Sequence, residues 1–244
     1  MPQLPDYIER YRDSRLIPTG SASNTENQVL SAFLATLPVI DGWFNSAFAG
    51  GPSIRLGKQA RIRCLTEVEF KDKEFADCRP DGFIIVTTGR TQWSALIEAK
   101  IKNNKLSAEQ VEKYCRLAKR YKVDAVITIS NEFTSKPDHH FLTIPKNSIR
   151  NLQLFHYSWA SILTNAQVLL GQQNVQDVEQ IFILEELIKY FQHESAGINR
   201  FSQMSSFWPE VVKNATLGQS LNKTSEATES VVNDWLQESK DLVL

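Results

Sequence analysis

Two acidic residues and a lysine lie at the ends of two neighbouring strand-like segments of the sequence. Asp81 precedes the apolar run 82–88, and Glu98 and Lys100 close the next run, 91–100. Two carboxylates and an ammonium group at one point can hold a divalent cation beside a phosphate ester, because Mg²⁺ and Mn²⁺ prefer carboxylate oxygens. The question that the sequence raises is therefore whether the fold brings these three side chains together.

The turn between the two segments sets their register. Both runs are rich in β-branched and aromatic residues, and Gly89 and Arg90 separate them, which predicts a β-hairpin with a type II′ turn. With Gly89 and Arg90 at the centre of the turn, Asp81 lies directly opposite Glu98, and Lys100 projects from the same face. A register slip of one residue would move Asp81 to the other face, so the predicted site depends on this turn.

The surrounding segments predict an α/β fold. We expect helices at 5–15, from 24 or 25 to before Pro38, and at 107–121, 160–170, 175–193, 207–213 and 226–241, and strands at 54–56, 61–70, 82–88, 91–97, 124–130 and 152–157. The core order α-β-β-β-α-β, with a helical crossover before the strand 124–130, indicates a mixed sheet flanked by helices. We expect an N-terminal helical extension (1–22), an α/β domain (23–158) and a helical region (159–244) for dimerisation or partner docking.

Composition narrows the class of protein. The 244 residues are 42% hydrophobic and 23% charged, as in ordinary globular proteins. The apolar runs are shorter than the roughly 20 residues of a membrane span, and the first residues do not resemble a secretory signal. Cys64, Cys78 and Cys115 are odd in number and widely spaced, which fits reduced thiols and not a disulfide framework or a zinc site. We therefore expect a cytoplasmic protein without a membrane partner.

Charge is distributed unevenly along the chain, although its total is −1. Residues 55–122 contain 16 basic and 9 acidic side chains, a net charge of +7. Residues 1–54 contain 3 basic and 5 acidic side chains (−2), and residues 123–244 contain 8 and 14 (−6). Because phosphate contacts supply most of the non-specific affinity for nucleic acids, the positive segment around Asp81 and Lys100 predicts a polyanionic partner.

The complete pattern resembles the PD-(D/E)XK nuclease superfamily, which includes many type II restriction enzymes. The residues that carry the resemblance are Glu26, Pro80, Asp81, Glu98, Ala99, Lys100, Gln110 and Tyr114. Sixteen residues separate the Pro-Asp pair from the Glu-Ala-Lys triplet, and the last two residues are similar to the Gln-x-x-x-Tyr motif of a repair and recombination branch. The resemblance covers about residues 24–130 and implies a restriction-endonuclease-like αβββαβ core within 23–158.

The resemblance implies an Mg²⁺-dependent (or Mn²⁺-dependent) DNA endonuclease in defence, restriction or repair. The expected metal ligands are all oxygen donors: Asp81, Glu98, the backbone carbonyl of Ala99, and Glu26. Lys100 would orient the attacking water and stabilise the charge that develops on the phosphate, while Gln110 would position water or substrate.

The residues expected to contact nucleic acid follow the triplet along the chain. They are Lys102, Lys105, Lys113, Tyr114, Arg116 and Arg120. Lys113, Arg116 and Arg120 recur at helical spacing on one face of the helix predicted over 107–121. Such a row of charges is equally consistent with a merely solvated helix face.

Several of these residues also have a purely structural interpretation. The two acids and the lysine form a cross-strand salt bridge in that interpretation, and Gln110 closes a capping box with Ser107. Tyr114 then packs in the core, and Glu26 is a favourable charge at a helix start. Glu67 and Glu69 are alternative acids on the preceding strand.

Two further expectations concern the strand 61–70 and the histidines. Ile62, Cys64, Val68 and Phe70 alternate with charged residues, which predicts one buried and one polar face. His139, His140, His156 and His193 are interpreted as structural or surface residues. For the whole chain, the alternatives to a DNA nuclease are a non-catalytic nucleic-acid-binding or assembly subunit with this fold, and a nuclease that acts on RNA. A third alternative is a helical interaction protein whose sheet domain is only a scaffold, which the charge of +7 over residues 55–122 disfavours.

Overall fold

A six-stranded mixed sheet forms the centre of the protein, shown by a computed structural model that describes residues 2–17, 25–54, 56–57, 59–89, 91–198 and 204–241. The strands lie in chain order and are β1 (Ile8–Asp13), β2 (Arg61–Phe70), β3 (Gly82–Thr88), β4 (Thr91–Ala99), β5 (Ala125–Ser130) and β6 (Gln153–Ser158). The pairs from β1 to β4 are antiparallel, and β4, β5 and β6 are parallel. The predicted α/β class with a mixed sheet is confirmed.

Helices cover both faces of the sheet. They are α1 (Thr25–Thr36), α2 (Trp43–Ala47), α3 (Ala108–Tyr121), α4 (Lys146–Ile149), α5 (Trp159–Gly171), α6 (Val178–Gln192), α7 (Trp208–Thr216) and α8 (Glu226–Asp241). One hydrophobic core joins the sheet to α1, α2, α5 and α6, and a second core joins the opposite face to α3. Across the part of the chain that the structure describes, no helix is long and apolar enough to span a membrane.

The hairpin of β3 and β4 has the predicted register. Thr88 pairs with Thr91, and Gly82 pairs with Ile97 at the far end. Gly89 has a φ of 60°, the positive value that the turn requires, whereas Arg90 lies outside the described residues. The register therefore places the segment before Gly82 against the segment after Ile97, as the sequence predicts.

The N-terminal segment is a strand, so the helix predicted over 5–15 is wrong. β1 pairs antiparallel with β2 and is exposed apart from Ile8. The helix prediction rests on the weak helix propensity of residues 5–15, and the hydrogen bonds that β1 forms with the distant strand β2 outweigh this propensity. Residues 54 and 56 are not in a strand either, and short helices α2 and α4 form in segments for which neither a helix nor a strand was predicted. Asn24, one of the two predicted caps of α1, lies outside the described residues.

β2 changes the face that it buries part-way along its length. Cys64 packs in the core beneath α1, whereas Val68 and Phe70 pack in the core beneath α3. The change occurs at Glu67, where φ is 51° and the register with β1 shifts. A β-bulge moves the alternation by one residue, so the prediction that Ile62, Cys64, Val68 and Phe70 share one face is wrong.

Helices α5 and α6 belong to the same core as the sheet. Trp159, Leu163 and Phe191 are buried in the core that also contains Phe33 of α1 and Ile97 of β4. The helical region predicted from residue 159 thus contributes a packed layer to the α/β fold. Its use in dimerisation or partner docking stays a prediction.

Candidate active site

Three carboxylates surround the ammonium group of Lys100 where the chain leaves β4. Lys100 Nζ lies 2.6 Å from Glu98 Oε1, 3.2 Å from Glu26 Oε1 and 3.9 Å from Asp81 Oδ2. It also donates to the carbonyl oxygen of Ala99 at 3.1 Å. The structure therefore brings together all the residues predicted as metal ligands. We call Glu26, Asp81, Glu98 and Lys100 the acidic site.

Backbone contacts hold Asp81 in place. Its Oδ2 accepts a hydrogen bond from the Ala99 N–H at 2.9 Å, and its carbonyl accepts one from the Glu67 N–H at 3.0 Å. A Cβ on Gly82 would lie 2.8 Å from Leu34 Cδ1, so glycine is needed for α1 to pack this closely. The bulge of β2 and the close approach of α1 together position this carboxylate.

Glu26 reaches the site from the first turn of α1. Its Oε2 accepts hydrogen bonds from the Ile101 N–H at 3.1 Å and from Asn104 Nδ2 at 3.3 Å, while Oε1 faces Lys100. These contacts tie α1 to the turn after β4. A favourable charge at a helix start does not account for them, because they are directed at specific groups of another segment.

Gln110 and Tyr114 reach the site from α3, on the opposite face of the sheet. Gln110 Nε2 donates to Glu98 Oε1 at 2.6 Å and to the Tyr114 hydroxyl at 3.1 Å, and that hydroxyl donates to the Arg79 carbonyl at 3.2 Å. Ser107 is the N-cap of α3 but makes no side-chain capping hydrogen bond, so the capping box does not form. Tyr114 is buried and touches the site through Gln110, which does not suit a surface contact with nucleic acid.

The acidic site has more negative charge than one ammonium can balance. Glu98 is 1% exposed, and its Oε2 has no hydrogen-bond partner among the described residues. Burial, and then the charge of Glu98, raise the pKa of Asp81 well above its usual value, although Lys100 acts in the opposite direction. Burial opposes the charged form of Lys100, but the carboxylates of Glu98, Asp81 and Glu26 outweigh it and raise the pKa of the ammonium.

This surplus of charge fits a hard divalent cation. Carboxylate and carbonyl oxygens are the donors that Mg²⁺ and Mn²⁺ prefer, and the buried Oε2 of Glu98 is an acceptor that no group of the described residues uses. The described residues contain no ready-made cluster of three His, Cys, Asp or Glu side chains for a metal ion; their carboxylates converge on Lys100 instead. The fit to a cation therefore rests on donor chemistry and not on a preformed cage, and a metal site stays a prediction.

The residues predicted to contact nucleic acid are not equally available. Three are exposed and form no ion pair within the described chain: Lys102, Lys105 and Arg116. Lys113 is paired with Asp77, and Arg120 Nε lies 3.2 Å from Asp72 Oδ2. The exposed three are therefore the better candidates for phosphate contacts.

The alternative acids on β2 are engaged elsewhere. Glu67 forms ion pairs with Arg12 at 2.7 Å and Arg79 at 3.3 Å, and Glu69 lies 3.6 Å from Arg79. Sequence reasoning missed the role of Glu67, whose backbone N–H supports Asp81. The interrupted alternation between Cys64 and Val68 was the signal that could have indicated the bulge.

A second buried polar cluster lies beside the acidic site. The Thr128 hydroxyl is 2.9 Å from both His140 Nε2 and His156 Nδ1, and His156 Nε2 lies 2.7 Å from the Glu132 carbonyl oxygen. The Leu142 N–H donates to His140 Nδ1 at 3.1 Å. Neutral imidazoles satisfy every ring nitrogen if His156 donates to Glu132, Thr128 donates to His156 and His140 donates to Thr128. We call Thr128, His140 and His156 the histidine cluster.

Burial keeps these two imidazoles neutral. It lowers the pKa of His140 to about 4 and that of His156 to about 3. The interpretation of both residues as structural agrees with this hydrogen-bonding.

Comparison with known proteins adds no family assignment. No model of a known protein family and no curated protein matches the chain. The resemblance to the PD-(D/E)XK superfamily accordingly remains a prediction from the motif.

Proposed function

We propose that the protein is a metal-dependent nuclease that hydrolyses phosphodiester bonds of DNA. The observation that carries this proposal is the convergence of Glu26, Asp81 and Glu98 on a single ammonium group, with one buried carboxylate oxygen that has no partner in the described parts of the chain. A structural salt bridge needs one carboxylate for each ammonium, and extra buried charges reduce stability. The element order α1-α2-β2-β3-β4-α3-β5 also supports the proposal, because it differs from the order expected for the PD-(D/E)XK core by the short helix α2 only.

In this proposal, Asp81, Glu98, the Ala99 carbonyl and Glu26 hold Mg²⁺ or Mn²⁺. The cation, when bound, polarises the phosphate and lowers the pKa of a bound water. Lys100 directs its ammonium at the same point, where it orients the attacking water and stabilises the negative charge that develops on the phosphate.

Gln110 has a supporting role in this chemistry. It occupies Glu98 Oε1 with a hydrogen bond and so leaves Oε2 available to a cation. Tyr114 accepts a hydrogen bond from the same amide and fixes its direction. Both residues thereby orient a carboxylate that already lies in the interior.

Plasmid and single-stranded DNA with Mg²⁺ or Mn²⁺ provide the test. We expect the wild type to cut DNA, and Asp81→Asn and Lys100→Ala to reduce the rate by about 10²-fold or more. Asp138→Asn is the control, because Asp138 is an exposed acid outside the site, and it should cut at the wild-type rate. Full activity of either site variant contradicts the proposal.

The two alternatives give different results in the same assay series. Cleavage of RNA in preference to DNA supports an RNA-directed nuclease, since the hydrolysis itself does not depend on the sugar. Absence of Mn²⁺ binding in calorimetry, together with absence of cleavage, supports a non-catalytic subunit with this fold.

A further inference from the structure

Later parts of the chain hold the backbone on both sides of the Lys100 side chain. The Lys100 N–H donates to the Ile129 carbonyl at 2.8 Å, and the Lys100 carbonyl accepts from the Trp159 indole N–H at 2.9 Å. Two residues further on, the Lys102 N–H donates to the Gly197 carbonyl at 2.8 Å. The turn that follows β4 is thus clamped by β5, by α5 and by the segment after α6.

Trp159 is the central residue of this arrangement. It is 0% exposed and packs edge-on against Phe33 of α1 (ring centroids 5.8 Å apart) and Phe191 of α6 (5.5 Å). The packing leaves the indole one orientation, so the direction of its N–H is fixed. Phe33 and Glu26 lie on the same helix, α1. The Trp159 side chain therefore contacts both the helix that carries Glu26 and the backbone carbonyl of Lys100.

We propose that Trp159 is a positioning residue for Lys100, an inference that rests on the nuclease function proposed above. The indole N–H fixes the peptide that follows Lys100 and thereby the direction in which its side chain leaves the backbone towards Glu98. Misplacement of a reacting group by about 1 Å can cost on the order of 10²-fold in rate. The layer formed by α5 and α6 is on this account part of the active centre.

Gly197 supports the same turn from another side. It has a φ of 66°, and a Cβ at this position would lie 2.5 Å from Lys102 Cγ. A side chain here would strain the backbone and displace the side chain of Lys102. Gly197→Ala therefore disturbs Lys102, and with it Lys100, without removing any group from the hydrophobic core.

Trp43 provides a matched control for Trp159. It is also 0% exposed and also packs edge-on against Phe33, with ring centroids 6.0 Å apart. Its indole N–H donates to Thr36 Oγ1 at 2.9 Å, away from the acidic site. Trp43→Phe and Trp159→Phe each remove one indole N–H and the same side-chain volume from the same hydrophobic core. Only Trp159→Phe removes the hydrogen bond to the Lys100 carbonyl.

The test combines hydrogen exchange with cleavage kinetics on the full chain. In Trp159→Phe and in Gly197→Ala, we expect peptides that cover 98–104 to exchange about 10-fold faster, whereas Trp43→Phe accelerates exchange around Thr36 only. At saturating Mg²⁺, Trp159→Phe should lower the maximal cleavage rate about 10-fold and leave the half-saturating DNA concentration within about twofold. A general loss of stability would not produce this combination.

The outcomes separate this inference from the proposed function. Two results overturn the positioning role while the nuclease proposal stands. The first is unchanged exchange at 98–104 in both Trp159→Phe and Gly197→Ala. The second is equal cleavage rates for Trp159→Phe and Trp43→Phe. A wild type that cuts no nucleic acid refutes the nuclease proposal, and faster exchange confined to 98–104 then still supports the positioning of Lys100. Gly197→Ala decides the question if Trp159→Phe does not fold.

Discussion

The acidic site and the histidine cluster are buried polar groups on neighbouring strands, yet they differ in how their polar atoms are satisfied. Glu98 of β4 pairs directly with Thr128 of β5 in the parallel ladder. On the Thr128 side, each ring nitrogen of His140 and His156 has a hydrogen-bond partner, and both imidazoles are neutral. On the Glu98 side, three carboxylates share one ammonium, and a buried oxygen has no partner.

If the function proposed above holds, this difference separates a stabilising polar network from a functional one. Buried polar groups that are neutral and fully paired add rigidity at little cost, whereas buried charges without full compensation reduce stability. Groups that lower the stability of the fold in this way are expected where they bind a ligand or take part in a reaction. Glu98 and Thr128 are paired residues of neighbouring strands, so the two clusters can be compared at the same level of one sheet.

The largest expected difference between the clusters concerns the rate of cleavage. Lys100→Met and Thr128→Val each remove the polar group and keep most of the side-chain shape. We expect Lys100→Met to reduce Mg²⁺-dependent cleavage by about 10³-fold, because no ammonium remains to stabilise the developing charge. Thr128→Val should stay within about threefold of the wild type at saturating Mg²⁺. A large loss of rate in Thr128→Val at temperatures where it is folded would show that the histidine cluster also takes part in the reaction.

The second prediction concerns the stability of the histidine cluster. His156→Ala removes one hydrogen-bond partner of the Thr128 hydroxyl and the side-chain partner of the Glu132 carbonyl. It also creates a cavity, so the free energy of unfolding should fall by about 3 kcal/mol. Denaturation with urea in the presence of a chelator measures this change. His139→Ala is the control and should change it by less than about 0.5 kcal/mol, because His139 is exposed. Equal stability of the two variants would contradict a satisfied buried network.

Local patterns explain which parts of this arrangement could be predicted from the sequence. The hairpin register follows from two strand-forming runs and the positive φ of Gly89, all within twenty residues, and that register alone places Asp81 near Glu98. The helix that carries Gln110 and Tyr114 was equally visible, because its apolar residues recur at helical spacing. What these patterns do not contain is any contact across the fold.

The errors and omissions that concern the sheet and the acidic site involve such long-range contacts. β1 is a strand because β2 offers it an edge, and the bulge at Glu67 matters because its N–H meets the Asp81 carbonyl. Trp159 lies 59 positions from the Lys100 carbonyl to which it donates, and no spacing rule connects the two. For Tyr114 the sequence left a contact with nucleic acid and packing in the core open, and the packing of α3 against the sheet buries it.

The third prediction concerns the sign of a stability change in the acidic site. The folded state raises the pKa of Asp81 above its usual value of 3.8. The contribution of this carboxyl to stability is therefore fully present below pH 3.8 and is lost as the pH rises through the folded-state pKa. At pH 7 in a chelator, Asp81→Asn should raise the free energy of unfolding by about 1 kcal/mol.

Mg²⁺ should reverse the ranking of these two proteins. It should raise the unfolding temperature of the wild type and of the control Asp138→Asn, and it should leave that of Asp81→Asn nearly unchanged. Lower stability of Asp81→Asn in the chelator would mean that the charge of Asp81 is already satisfied. The acidic site would then resemble the histidine cluster, and the contrast between the two would be lost.

The last prediction concerns the slope of stability against pH. Burial lowers the pKa of His140 to about 4 and that of His156 to about 3, from a usual value of 6.5. Above pH 6.5 both imidazoles are neutral in the folded and the unfolded chain, so their contribution is complete. Below pH 6.5 the unfolded chain takes up protons first, and stability falls by up to about 1.4 kcal/mol per pH unit for each imidazole until the folded-state pKa is reached.

Urea denaturation at pH 7, 6 and 5 isolates this contribution when the wild type is compared with His156→Gln. The slope of the unfolding free energy against pH should decrease by about 1 kcal/mol per unit in the variant, whereas His193→Gln, at an exposed histidine, should retain the wild-type slope. Asp81→Asn should change the slope in the opposite direction, because protonation of Asp81 in the folded state favours folding as the pH falls. Equal slopes in His156→Gln and the wild type would mean that His156 titrates in the folded state as it does in the unfolded chain. Burial would then not keep the histidine cluster neutral, and the contrast with the charged acidic site would need another cause.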